Sequence, residues 1–75
     1  MNNSRRKTLK VIVSTLEKAK RDVESVLNDE QEALDNLPDG LQDSERADAM
    51  NDACDELDSA MDFIDDAISA INNAI

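Results

Sequence analysis

From Ala47 to Ile75 an apolar residue falls at alternating steps of three and four without a break: Ala47, Met50, Cys54, Leu57, Met61, Ile64, Ile68, Ile71 and Ile75. That spacing, kept over four heptads, gathers the apolar side chains into one seam along an α-helix. The first half repeats the pattern at Leu9, Ile12, Leu16, Ala19, Val23, Val26, Glu30, Ala33 and Leu37, with Glu30 as its one polar break. Two stretches of similar length, each apolar along one side, predict an all-α chain.

Between them lie the only proline and the only glycine, in Leu37-Pro38-Asp39-Gly40. Pro38 lacks a backbone donor and biases Leu37 away from helical angles, so the first helix is expected over about 5–36. A turn follows over 37–43, and Asp43 or Ser44 can cap a second helix over about 44–74. Glu45 then sits favourably near that helix's positive end. The expected fold is one domain, residues 1–75, in the form of an antiparallel two-helix hairpin resembling a coiled coil.

Each seam has a third column. Val13, Leu27 and Leu34 widen the first stripe, and Ala53, Ala60, Ala67 and Ala74 widen the second. A stripe three positions wide suits a helix with more than one neighbour, and an alanine column lets two backbones approach closely. A hairpin of 75 residues has a thin core and, with one cysteine and no histidine, neither a disulfide nor a zinc site to brace it. Dimerisation into a four-helix bundle is therefore expected, with Leu16, Val23, Leu27, Cys54, Leu57, Met61, Ile64 and Ile68 forming the core and dimer seam.

The residues for most catalytic chemistry are missing. There is no His, Tyr or Trp, and the carboxylates fall at outward phases where nothing would raise a pKa toward neutrality. A calcium loop with Gly40 at its sixth position has Asp35 first and Asp39 fifth, but Leu37 third and Arg46 twelfth, so its ligand set fails. A di-metal bundle needs a Glu-x-x-His motif the chain does not contain. No enzyme, cofactor or metal site is expected. The longest apolar run, Val11-Ile12-Val13, is far below a membrane span, and the basic start has no signal-peptide core. The expected setting is the cytoplasm.

Charge is unevenly spread. Residues 1–21 hold seven basic and one acidic side chain, whereas residues 22–75 hold one basic and seventeen acidic, for a net charge of −10. A hairpin lays the basic start beside the segment from Asp55 to Asp66, with position 16 near 63 and Arg21 near Asp58. The half nearest the turn has no such compensation. Asp35, Asp39, Asp43, Glu45, Asp48, Asp52, Asp55, Asp62 and Asp66 form a candidate surface for a basic protein partner, one that repels nucleic acid and membranes. Five of these, from Asp48 to Asp66, line a polar face of the second helix at spacings of roughly 5 to 6 Å for one turn, near the spacing of phosphates along a nucleic-acid strand. The same face also reads as a solubilising surface.

Three single residues keep two readings each. Glu30 either reaches solvent or Arg46, or meets a partner. Phe63, off the seam, is either covered by the N-terminal segment or contacts a partner. Cys54 is a small core residue, or lies near a dimer axis.

The residues Glu30-Gln31-Glu32-Ala33, Asp35-Asn36-Leu37-Pro38, Leu41 and Ser44, followed by a helix of alternating Ala, Leu and Ile, resemble small uncharacterised acidic helical-hairpin proteins of Gram-positive phages and mobile elements. The similarity spans roughly residues 24–70. It implies a helical hairpin of phage or mobile-element origin, a setting in which small acidic proteins resemble inhibitors of host defence nucleases. The fold also looks like the hairpin dimer of plasmid RNA-binding regulators, whose surface must be basic where this one is acidic. The expected function is a non-enzymatic homodimer that binds a basic protein surface, up to inhibition of a host protein by nucleic-acid mimicry. The alternative is a structural or assembly module.

Overall fold

Asn2 opens the first helix by accepting the Arg5 amide on its side-chain oxygen at 2.8 Å, in a computed structural model that describes all residues 1–75. Helix α1 runs Asn3–Asp35, a single 3-10 turn covers Asp39–Leu41, and helix α2 runs Glu45–Ala74. The sequence bounds hold to within two residues, except that the turn contains a helical step of its own. The two long helices pack antiparallel in one layer, with principal extents of 59 × 15 × 11 Å. The chain is an all-α helical hairpin with no strand.

The turn is closed by polar contacts more than by its glycine. Past the last turn of α1, the amides of Asn36 and Leu37 donate to the carbonyls of Glu32 and Leu34. The Gln42 side-chain amide reaches back to donate to the carbonyls of Leu37 at 2.8 Å and Leu34 at 3.3 Å. Helix ends leave such acceptors short of donors; Gln42 pairs the Leu37 carbonyl and gives that of Leu34 a second donor beside the Leu37 amide. Ser44 is the cap of α2: its hydroxyl oxygen accepts from the Ala47 amide at 3.2 Å and its proton is donated to the Leu41 carbonyl at 2.6 Å. Gly40 has a negative φ and open space where a Cβ would stand, so the turn does not depend on glycine's conformational freedom.

On α2 the seam faces α1 as its spacing requires. Ala47 and Cys54 are buried and Met50, Leu57, Met61, Ile64, Ile68, Ile71 and Ile75 are half-buried. On α1 the seam is rotated by one column from the expected one. Leu9, Val13, Leu16, Lys20, Val23, Leu27, Glu30, Leu34 and Leu37 are buried or half-buried, whereas Ile12, Val26 and Ala33 are exposed. Both columns beside Leu9, Leu16 and Val23 are largely apolar, so periodicity alone did not choose between them. The column with Val13, Leu27 and Leu34 carries more apolar surface than Ile12, Ala19, Val26 and Ala33, and burying it gains more. Its one polar member, Lys20, lays its alkyl stem along the seam and carries its ammonium out to Asp65.

The cross-helix pairing also differs from the one expected by counting from the turn. Arg21 was expected near Asp58; instead Lys20 Nζ meets Asp65 Oδ2 at 2.7 Å, and Arg21 is exposed without an ion pair. Lys20 with Asp65 is the single salt bridge between the helices, the other ion pair being Lys18 with Asp22 within α1.

A single layer cannot enclose much. Four residues are buried, Val13, Leu34, Ala47 and Cys54, and every other seam side chain keeps an open flank.

Candidate functional site

The acidic residues singled out from the sequence are all at the surface. Asp35, Asp39, Asp43, Glu45, Asp48, Asp52, Asp55, Asp62 and Asp66 are exposed, and none forms an ion pair. Asp35 alone has a side-chain hydrogen bond among them, from Gln31 Nε2 at 3.0 Å. The fold positions them through heptad phase: with Ala47, Cys54 and Met61 turned to α1, Asp48, Asp52, Asp55, Asp62 and Asp66 fall on the opposite, outer side of α2. They form a ridge along that helix. Asp35, Asp39, Asp43 and Glu45 continue the negative surface around the turn.

The charge separation follows the long axis. Residues 22–61, which make the half around the turn, carry fourteen acidic side chains and only Arg46 as a base. Residues 1–21 and 62–75, which make the open half, carry seven basic and four acidic side chains. Arg5, Lys7, Lys10 and Arg21 are exposed there and take no part in ion pairs. The hairpin is therefore polarised end to end, with a strongly negative turn and a mildly positive open end.

One flank of the helix pair holds a shallow groove lined by Leu27, Asn28 and Gln31 of α1 and by Cys54, Asp55 and Asp58 of α2. Cys54 is reduced and buried beneath it. Burial pushes its thiol above the ordinary value of 9.0, and the carboxylates of Glu30, Asp55 and Asp35 push it the same way. A buried thiol with raised pKa is a poor nucleophile, which fits the small-core-residue reading. Glu30 is half-buried at its seam position and makes no ion pair with Arg46. Phe63 is 70% exposed, so the N-terminal segment does not cover it. No three acidic or cysteine side chains converge where a metal ion could sit, and no helix is long and apolar enough to cross a membrane.

The raised thiol has a measurable consequence together with Lys20. The Lys20 ammonium is held above 10.5, first by its hydrogen bond to Asp65 and then by the charges of Asp65, Glu24 and Asp62, with desolvation opposing. In both groups the folded chain keeps its proton after the unfolded chain would have lost it. Stability is then full below the ordinary thiol value of 9.0 and declines as pH rises past it, first through Cys54 and then through Lys20. Urea midpoints measured from neutral to alkaline pH are expected to fall, and Cys54→Ala should remove the earlier part of that fall. A midpoint constant across the range would contradict both assignments.

Sequence reasoning located the acidic ridge and the seam of α2. It missed the Gln42 closure, and it placed Ile12, Ala19, Val26 and Ala33 in the seam of α1, where Ile12, Val26 and Ala33 are exposed and Ala19 is half-buried. No protein-family model, curated protein or solved structure matches this chain.

Proposed function

We propose that this chain is a non-enzymatic, homodimeric interaction protein whose acidic turn half binds a basic protein surface. The observation that carries the reading is the segregation of charge: fourteen acids against one base around the turn, with the nine candidate carboxylates exposed and free of ion pairs. A merely solubilising surface is served as well by charges interspersed with both signs. A one-signed field concentrated at one end of a rod steers an oppositely charged partner and repels nucleic acid.

The α2 ridge adds a more specific proposal. Carboxylates mostly one helical turn apart present a row of negative charges on a rigid support, which is what a nucleic-acid-binding protein's groove is built to receive. The chain would then act in a bacterial cytoplasm, encoded by a phage or mobile element, as an inhibitor of a host nucleic-acid-binding or defence protein. A second reading, a structural or assembly module, draws on the apolar column that the hairpin leaves outside its own seam.

Immobilised protein challenged with host lysate separates the two. The expected result is a basic host protein retained at low salt, eluted as salt rises, and displaced by added oligonucleotide. Retention of no basic protein at low salt would leave only the assembly module.

A further inference from the structure

The column left exposed on α1 shares one face with the alanine column of α2. Ile12, Ala19, Val26 and Ala33 each precede a seam residue, namely Val13, Lys20, Leu27 and Leu34. Ala53, Ala60, Ala67 and Ala74 likewise precede Cys54, Met61, Ile68 and Ile75. In an antiparallel helix pair these two flanking columns lie on the same side of the seam. The opposite flank confirms the geometry: Gln31 and Asp58, each four residues after a seam residue, line one groove together. The pair Lys20 and Asp65 reaches that same polar flank.

The resulting face has no polar residue in either column from Ile12 to Ala33 or from Ala53 to Ala74. It extends over about 32 Å along α1 at 1.5 Å per residue. Ile12 is 41% exposed and Val26 is 55% exposed, while Ala19 and Ala60 near the middle are half-buried. Phe63 projects beside Ala60 and Ala67, one turn from each, and adds the largest exposed apolar side chain of the chain to the edge of the face. An apolar strip of this length, in a molecule with four buried residues, is the missing second side of a core.

We propose that a second copy of this chain occupies that face in a head-to-tail arrangement, the turn of each hairpin lying against the open end of the other. The proposal rests on the homodimer reading above and specifies its surface and orientation. A two-fold axis across the rod places α1 against the second copy's α1, antiparallel, and α2 against α2. Area supports a specific but modest dimer: a strip about 32 Å long across the 15 Å width covers about 500 Å² in plan on each copy, near the lower limit for stable pairs.

Charge selects the orientation. The open half has seven basic and four acidic side chains, the turn half one basic and fourteen acidic. Two hairpins with their turns together would set the two acidic halves side by side. Head-to-tail packing instead sets each acidic half against a positive one, with Arg5, Arg6, Lys7 and Lys10 beside the second copy's acid-rich stretch from Asp29 to Asp35. Glu30 also gains a rationale, since this half-buried acid has no ion pair within its own chain and falls in the stretch that meets those bases. The dimer face leaves the α2 ridge from Asp48 to Asp66 open, because the ridge lies on the outer phases of the helix. Cys54 is turned to its own α1 and away from the second copy.

Sedimentation equilibrium of the full chain from about 1 to 200 μM, at low and high salt, tests the association. The expected result is a dimer whose affinity falls roughly tenfold as salt rises, because screening weakens the attraction between unlike halves. Val26→Glu and Ala67→Glu, both at exposed positions, should each give a monomer that keeps its helical circular dichroism, while Asn51→Glu, exposed on the opposite flank of α2, should leave the dimer unchanged. Spin labels at Asp39→Cys in a Cys54→Ala background should lie more than about 40 Å apart, as expected when the turns sit at opposite ends of a rod 59 Å long. A chain monomeric throughout would overturn the homodimer reading and this inference together. A dimer with labels within about 20 Å, strengthened by salt, or unaffected by both face variants, would overturn this inference alone.

Discussion

Leu34→Ala is expected to cost the hairpin about 3 kcal/mol, most of what a core of this size supplies, and to leave much of the population unfolded at 25 °C. Leu34 is 6% exposed in the last turn of α1 and is, with Val13, one of only two large aliphatic side chains that the fold buries. Its backbone carbonyl accepts from Leu37 and Gln42, and both bonds survive truncation, so the loss isolates side-chain packing. The control is Leu41→Ala: that side chain is 44% exposed on the 3-10 turn and its truncation should cost well under 1 kcal/mol. Urea melts followed by circular dichroism, at one fixed protein concentration because association adds its own stabilisation, give the comparison. Equal midpoints for the two variants would show that the turn end is not where the core is anchored.

The same residue marks how far periodicity reads. On α2 the seam was legible, because Asp48, Asp52, Asp55, Asp58, Asp62, Asp65 and Asp66 close one side of it and on the other the alanine column is far smaller than the Met, Leu and Ile that turn inward. On α1 the stripe is three columns wide, and the step of three or four that joins Leu9 to Ile12 is matched by the one that joins Leu9 to Val13. Choosing between them needs side-chain volume and the reach of Lys20 to Asp65, which depend on the partner helix. The register was a separate error: counting from the turn set Arg21 near Asp58, whereas Lys20 meets Asp65, seven residues further along α2.

The turn was legible as a turn and its closure was not. Pro38 fixes where α1 must end, and Ser44 was one of two caps expected for α2. Gln42 satisfies two carbonyls only because the 3-10 step at Asp39–Leu41 swings it under the end of α1, and no local pattern announces that. The candidate site was more legible than the core, since surface charge is a property of composition and phase. Once α2 has its seam, the outer position of its acids follows without knowledge of the partner helix.

Replacing Asp52, Asp55 and Asp62 together by Asn is expected to weaken binding of the retained basic protein roughly a hundredfold, at about 1 kcal/mol for each lost charge contact. These three belong to the α2 ridge and lie beyond the first turn of the helix, so the favourable placement of Glu45 and Asp48 near its positive end is preserved. All three are exposed and unpaired, and the fold should survive their neutralisation. The substitutions change the formal net charge from −10 to −7, and that change alone would reduce attraction to any basic surface. A second triple, Glu17→Gln, Glu24→Gln and Asp58→Asn, all exposed and unpaired on the flank away from the apolar face, reaches the same net charge while leaving the ridge intact. If the row of carboxylates is what the partner grips, the ridge triple should lose about ten times more affinity than the second triple and should also lose competition with oligonucleotide. If both triples weaken binding equally, the partner responds only to overall field, and the ridge is not a nucleic-acid mimic. The same titration separates site from assembly: the ridge lies away from the apolar face, so the ridge triple should remain dimeric in sedimentation while its partner affinity falls.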